Sequence, residues 1–143
     1  MNNCYCEEQM DYGVSPYVTN VKKKSVYNYN FRVTLWTGRH FQMTLMCIPV
    51  CSDIGLEVHK DTDQLIRIEQ GRALVKMGND KCELNFHQNV CEGDAIFVPA
   101  GTWHNVINIG SMPLKVSSIY APPHHPAGTI HHAKEDAQRE HYE

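Results

Sequence analysis

The chain of 143 residues has no apolar run long enough to cross a bilayer. Its first residues, Met1-Asn2-Asn3-Cys4-Tyr5-Cys6-Glu7-Glu8, lack both the cationic start and the apolar stretch of an export signal. The expectation is a cytoplasmic protein with no membrane partner. It lacks a basic face as well: 13 Lys and Arg against 16 Asp and Glu leave a net charge of −3. The one basic run, Lys22-Lys23-Lys24, reads as a solvated loop. No helix-turn-helix pattern precedes the β-rich region, so nucleic acid is not an expected partner. Among the six cysteines, Cys4, Cys6, Cys47, Cys51, Cys82 and Cys91, no C-x2-C pair occurs. In a reducing compartment they are expected to be free thiols, and Cys4-x-Cys6 reads as incidental terminal sequence. There is no internal repeat and no low-complexity segment, and 16.4 kDa fits one domain with a core that needs no disulfides.

What the chain does contain is a succession of short β-rich segments separated by turn residues. Strands are expected at about 31–37, 41–49, 54–60, 64–70, 72–77, 82–90, 94–98, 103–108 and 113–120, an all-β pattern. Thr37-Gly38, Gln70-Gly71, Gly78-Asn79-Asp80, Glu92-Gly93, Ala100-Gly101 and Gly110-Ser111 mark the turns, and their spacing suggests an antiparallel meander. Residues 1–30, with Gly13, Pro16 and several Asn, read as an extended arm that adds an edge strand or reaches a partner subunit. Residues 31–121 form the β-domain. In residues 122–143 a His- and Pro-rich loop, Pro122-Pro123-His124-His125-Pro126, precedes a helix expected over Ile130 to Tyr142 with Thr129 as its cap.

The most specific run is Gly93-Asp94-Ala95-Ile96-Phe97-Val98-Pro99-Ala100-Gly101-Thr102-Trp103-His104-Asn105-Val106-Ile107-Asn108. An apolar strand enters a Pro/Gly turn, and a second strand leaves it with His104, Val106 and Asn108 on one face. The run fits G-x5-P-x-G-x2-H-x3-N at every fixed position, and so resembles the second signature motif of the cupin superfamily. The resemblance implies an all-β, double-stranded β-helix, a jelly-roll-like barrel, with His104 facing a metal.

The first cupin signature, G-x5-H-x-H-x3-4-E-x6-G, aligns upstream as Cys51-x5-Glu57-x-His59-x4-Gln64-x6-Gly71, with the spacing kept and three residues changed. Strand geometry supports this register over one pairing His59 with Asp61. Residues two apart share a face, so Glu57 and His59 point inward while Ile54, Leu56 and Val58 pack on the other side. In the next strand Gln64, Ile66 and Ile68 alternate with Leu65, Arg67 and Glu69, whose charged members mark the outside. Asp61 and Asp63 read as turn residues. The implied metal ligands are Glu57, His59, Gln64 and His104, a borderline N/O set that suits Zn, Mn, Fe or Ni.

Across residues 17–143 the chain also resembles small bacterial single-domain cupins of the mannose-6-phosphate isomerase-like group. Asn30 to Gly38, Ile54 to His59, Asp63 to Glu69, and Ile119 to Pro123 with Gly128 to His131 carry this resemblance. It implies a metal-dependent enzyme acting on a small polar molecule such as a sugar or sugar phosphate, by isomerisation or epimerisation. Glu57, and His125 or His131 folded over the barrel mouth, are then the candidate catalytic groups. The alternatives are a non-catalytic cupin that binds a ligand or metal, and a metal-dependent dioxygenase built on two His and an acid. Pocket walls of Ile66, Ile68, Val106, Ile96 and Met43 would favour an apolar substrate, and several inward polar groups a sugar. Inward polar candidates are few in this reading, and no inward Lys or Arg is evident. Exposed sheet edges and the arm suggest a homodimer.

Overall fold

The computed structural model describes residues 11–140. Cys4 and Cys6, His141 and the end of the expected C-terminal helix lie outside the described residues. In chain order the elements are α1 (Val21–Tyr27), β1 (Arg32–Thr37), β2 (Gln42–Ile48), β3 (Asp63–Gln70), β4 (Arg72–Gly78), β5 (Phe86–Cys91), β6 (Ala95–Val98), β7 (Trp103–Asn108), β8 (Leu114–Ala121), β9 (Ile130–His131) and α2 (Lys134–Glu140). They form a six-stranded sheet, ordered β6-β3-β8-β2-β1-β9, and a three-stranded sheet, ordered β5-β4-β7. All named strand pairs are antiparallel. This is the cupin double-stranded β-helix expected from the motifs.

The core lies between the two sheets. Met46, Ile48, Ile66, Ile68, Ile96, Val98, Leu114 and Val116 from the larger sheet meet Ala73, Val75, Val90 and Val106 from the smaller. Four of the five expected wall residues, Ile66, Ile68, Ile96 and Val106, belong to this cluster. Met43 does not. It packs on the outer face with Val33, Leu35, Leu45, Tyr12 and Tyr17, because the inward set of β2 is Gln42, Thr44 and Met46.

The strand order is not a meander. Only β1–β2 and β4–β5 pair with their chain neighbours among the consecutive strands. Turn residues mark a change of direction but do not say whether the chain returns beside itself or crosses to the facing sheet. Gly71 makes such a crossing: between β3 and β4 it takes φ 100°, and a Cβ there would meet Leu114 at 3.3 Å.

Residues 11–30 are less extended than their composition suggests. Asn20 caps α1 by accepting from the Lys23 N–H at 2.9 Å, and α1 packs across β2, β3 and β8. Among the described residues the arm adds no strand, but Tyr12 N–H donates to the Leu35 carbonyl at 2.9 Å and Asp11 accepts from the Thr37 N–H at 3.0 Å. At the other end, Ile130 and His131 are a short strand paired with Val33 and Arg32, and the helix begins only at Lys134. Pairing with β1 outweighs the weak local preference for helix. Glu69, read as outward and solvated, is on the outer side but buried, accepting from Ser117 Oγ at 2.9 Å with Arg67 Nε 3.5 Å away. Cys47, Cys51, Cys82 and Cys91 are free thiols.

The expected strand at 54–60 is replaced by two isolated bridges, Asp53 to Ile107 and Glu57 to His104. Between these bridges three residues, 54–56, stand against two, 105 and 106, so the segment is bulged, and Gly55 at φ 91° absorbs the extra residue. The bulge changes which residues face inward. Ile54 joins the core with Val106, Leu56 is 41% exposed, and Glu57 and His59 still turn to the interior. A Cβ at Gly55 would meet no atom within 4 Å, so its cost is purely conformational. Gly55→Ala should destabilise the protein by about 1–3 kcal/mol in urea unfolding, with the fold retained. A loss below about 0.5 kcal/mol would contradict the bulge as described.

Candidate metal centre

The two signature segments are joined through their backbones. Glu57 N–H donates to the His104 carbonyl at 3.0 Å, His104 N–H to the Glu57 carbonyl at 2.9 Å, and Gly101 N–H to the His59 carbonyl at 2.8 Å. The Pro99-x-Gly101 turn, with Gly101 at φ 81°, therefore grips the bulged segment that carries the first pair of candidate ligands. Asn108, at the end of the same motif, has another task. Its amide donates to the carbonyls of Ile48 (3.1 Å), Pro49 (3.2 Å) and Met112 (3.0 Å), while its Oδ1 accepts from Gly110 at 2.9 Å. It ties down loops at the far end of β7 and leaves His104 as the chemical member of the motif.

Glu57, His59 and His104 each offer a ligand atom within 4.8 Å of the others and could hold a metal ion. The His59 and His104 ring centroids are 5.4 Å apart. The His104 Nδ1 is 3.0 Å from the Thr102 carbonyl, so that nitrogen carries the proton and donates. Burial holds the His104 imidazole below its ordinary value, leaving it neutral with its Nε2 lone pair available. The Nε2 atoms of His59 and His104 and the Oε1 of Gln64 are buried without hydrogen-bond partners. The His104 Nε2, without a partner, and the His59 Nε2, whose near neighbour is Glu57 Oε2 at 3.3 Å, fit a divalent cation that would satisfy both together with the Glu57 carboxylate.

Gln64 lies on the inward face of β3, in register with Tyr120 and Val98, with its Nε2 donating to Ser118 Oγ at 3.4 Å. Its amide oxygen is a neutral, buried acceptor without a hydrogen-bond partner. Burial alone would raise the Glu57 carboxyl, but contact with His59 and the charge of Arg32 outweigh it and bring the value down to about 2. Glu57 Oε2 is 3.3 Å from His59 Nε2, and Oε1 is 3.6 Å from Arg32 NH2. Asp61 is exposed, and Asp63 accepts from the Ala100 N–H at 2.8 Å, which makes it a turn clamp.

The histidines of the C-terminal loop occupy three different places. His124 lies against His59, with centroids 4.2 Å apart. His125 turns its ring edge to Tyr120, at 5.2 Å, and Gln42 anchors its backbone by accepting from its N–H at 2.9 Å. His131 is on β9, buried, with Nδ1 3.4 Å from Arg32 NH1, so it sits behind the site and not over its mouth. A cavity of about 540 Å³ reaches Glu57 and His59 from outside between Leu56, Trp103, His124 and Gln138. Tyr120 is fully enclosed, and burial raises its phenol to about 12, so at neutral pH it is a hydrogen-bond donor.

Three participants escaped the sequence: Arg32, Tyr120 and His124. Gln42, Thr34, Thr44 and Ser118 are buried polar residues as well, so the interior is richer in polar groups than expected. In the sequence their one signal is polar residues in strands that are buried on both faces.

The fold and this cluster define a class of small β-barrel proteins with a candidate metal centre between two sheets. The comparisons agree: the Cupin domain family matches residues 44–120, and the chain belongs to the cupin family. It is 58% identical over 127 residues to the uncharacterized protein YrkC of Bacillus subtilis, covering 89% of this chain and 68% of that one. The crystal structure of BH2720 from Bacillus halodurans superposes with a TM-score of 0.90 at 51% identity, over 91% of this chain and 98% of that one. A predicted oxalate decarboxylase from Thermotoga maritima superposes with a TM-score of 0.52 at 19% identity, over 59% and 68% of the two chains, which shows the shared fold alone. Among the described residues no helix is long and apolar enough to cross a membrane.

His125 supplies a test of this arrangement. Burial first, and then the charge of Arg32, hold its imidazole down at about 2 against an ordinary 6.5. The folded state keeps the ring neutral while the unfolded chain takes up a proton below 6.5. Stability therefore falls as pH drops from 6.5 toward 2, by up to about 1.4 kcal/mol per pH unit from this residue. In urea unfolding between pH 6 and pH 4, His125→Gln should flatten the slope by about that amount. An unchanged slope would mean the ring is not buried as described.

Proposed function

We propose that the chain is a metal-dependent enzyme acting on a small, oxygen-rich molecule of sugar type by isomerisation or epimerisation. The observation that carries this reading is the cluster of Glu57, His59 and His104, whose ligand atoms lie within 4.8 Å of one another and which a solvent-open cavity reaches at Glu57 and His59. Glu57, His59 and His104 would hold the metal, with Gln64 as a fourth donor or as a hydrogen-bond partner of the ligand. Zn, Mn, Fe and Ni suit this set. Such an ion would polarise neighbouring carbonyl and hydroxyl oxygens and so acidify the C–H between them.

The remaining roles fall to the chain's own groups. A carboxylate at about 2 is a weak base, so Glu57 suits metal holding better than proton transfer. His124, beside His59 and on the cavity wall, is placed to move a proton at the substrate. His125, neutral against Tyr120, supports that loop, and His131 supports Arg32. The several buried polar groups around Tyr120 favour a polar substrate over an apolar one. One observation favours a second reading: two imidazoles and one carboxylate are also the donor set of non-haem iron oxygenases.

We also propose a homodimer. Trp36, Met43, Ile119, Leu65 and Phe97 are successive partners across five strands of the large sheet, and Phe97 is 73% exposed. Light scattering should give twice the 16.4 kDa of one chain, and the monomer mass would refute pairing.

Elemental analysis of protein purified without a His tag should find about one equivalent of transition metal per chain. His59→Ala and His104→Ala should both lose it while remaining folded, and metal content unaffected by either change would refute the site. NMR of the loaded protein with aldoses, ketoses and their phosphates should then show interconversion. Oxygen consumption without isomerisation would select the dioxygenase reading.

A further inference from the structure

Arg32 is the least expected residue in the interior. It begins β1, is 2% exposed, and lies in register with Met46 on one side and His131 on the other. Its NH2 is 3.6 Å from Glu57 Oε1 and 3.7 Å from Met46 Sδ, and its NH1 is 3.4 Å from His131 Nδ1. Its Nε has no hydrogen-bond partner. A guanidinium keeps its proton inside a protein, so this is a permanent buried positive charge. Among the described residues, Glu57 is the carboxylate within ion-pair reach of it.

Two other ion pairs of the framework are made without Arg32 or Glu57. Lys134 pairs with Asp53 beside the bulge, and Glu69 with Arg67 lies on the outer side of β3. At the candidate ligands themselves, Glu57 and Arg32 oppose each other, both largely buried.

We infer that Arg32 cancels the charge of Glu57, so that a divalent ion held by Glu57, His59 and His104 keeps its positive charge for the ligand, and the site selects a small hydroxy- or keto-carboxylate over a neutral polyol. This rests on the metal-dependent reading above and narrows its oxygen-rich substrate from neutral sugars and their phosphates to the acids, which carry hydroxyl or keto oxygens together with a carboxylate. The occupant is a carboxylate in preference to a phosphate because, among the described residues, no lysine or arginine lines the cavity that leads to Glu57 and His59. A phosphate dianion would find one uncancelled charge, the metal, and no cationic cradle on the walls. The inference also assigns opposite effects to one side chain. Arg32 competes with the metal for Glu57 and so weakens metal binding, while it strengthens binding of an anion to the loaded site.

The test uses the metal-loaded protein in calorimetric titrations with glycolate and with ethylene glycol, which differ by the carboxylate. Wild type should bind glycolate at least about tenfold more tightly than ethylene glycol. Arg32→Met should lower glycolate affinity about tenfold and hold the metal as tightly as wild type or more so, whereas Arg32→Lys should behave as wild type. Arg32→Gln replaces the methionine variant if circular dichroism shows that variant unfolded. Equal affinity of wild type for the two probes overturns the inference while leaving the metal centre standing. Loss of both metal and glycolate in the neutral variants, with the fold retained, also overturns it, since that outcome belongs to a structural role. Wild-type protein that takes up no divalent metal overturns the inference together with the reading it rests on.

Discussion

The candidate centre depends on two backbone hydrogen bonds, the reciprocal pair between Glu57 and His104 at 3.0 and 2.9 Å. The residues come from segments 47 positions apart, and that bridge, with the Gly101–His59 and Ile54–Val106 hydrogen bonds on either side of it, fixes Glu57 and His59 relative to His104. The surrounding devices serve it. Gly55 accommodates the bulge that aims both Ile54 and Glu57 inward, the Gly101 N–H holds His59, and Asn108 secures the loops at the other end of β7. The ligand geometry is thus set by main-chain pairing, which tolerates changes in the side chains it carries. A Glu and a Gln can therefore stand at positions 57 and 64, where the superfamily pattern has His and Glu, without loss of register.

Electrostatics explains what those changed side chains cost. An inward carboxylate in an apolar barrel is expensive unless paired. Arg32 and His59 supply the pairing, and their effect exceeds that of burial, so Glu57 is ionised at neutral pH. The imidazoles of His104 and His125 go the other way, kept neutral by burial. A neutral imidazole at His104 and an ionised carboxylate at Glu57 are protonation states that metal ligands need. The chain reaches them with the buried Arg32 as its countercharge.

The β-strands and the second motif were legible because both are local. Apolar alternation and the Pro99, Gly101 and His104 spacing require nothing from distant parts of the chain. The bulge at Gly55 was less so: a strand with one extra residue has the same composition as a regular one, and the expected inward position of Glu57 and His59 was reached by a different path. Arg32 was missed because β1 is buried on both faces from Arg32 to Leu35, so alternation carries no direction there. Glu69 and His131 depend on Ser117 and Arg32, 48 and 99 positions away, and no window along the sequence contains both partners. The helix α1 has one local sign, the Asn20 cap, and its place comes from packing on the outer face of the large sheet.

The central claim is that one metal ion joins the two motif segments. X-ray diffraction from metal-loaded crystals, at wavelengths on either side of the metal's absorption edge, tests it directly. The account predicts a single anomalous peak per chain within coordination distance, about 2.0–2.2 Å, of His59 Nε2, His104 Nε2 and a Glu57 carboxylate oxygen. A peak elsewhere, or none between these three residues in a fully loaded crystal, would contradict it.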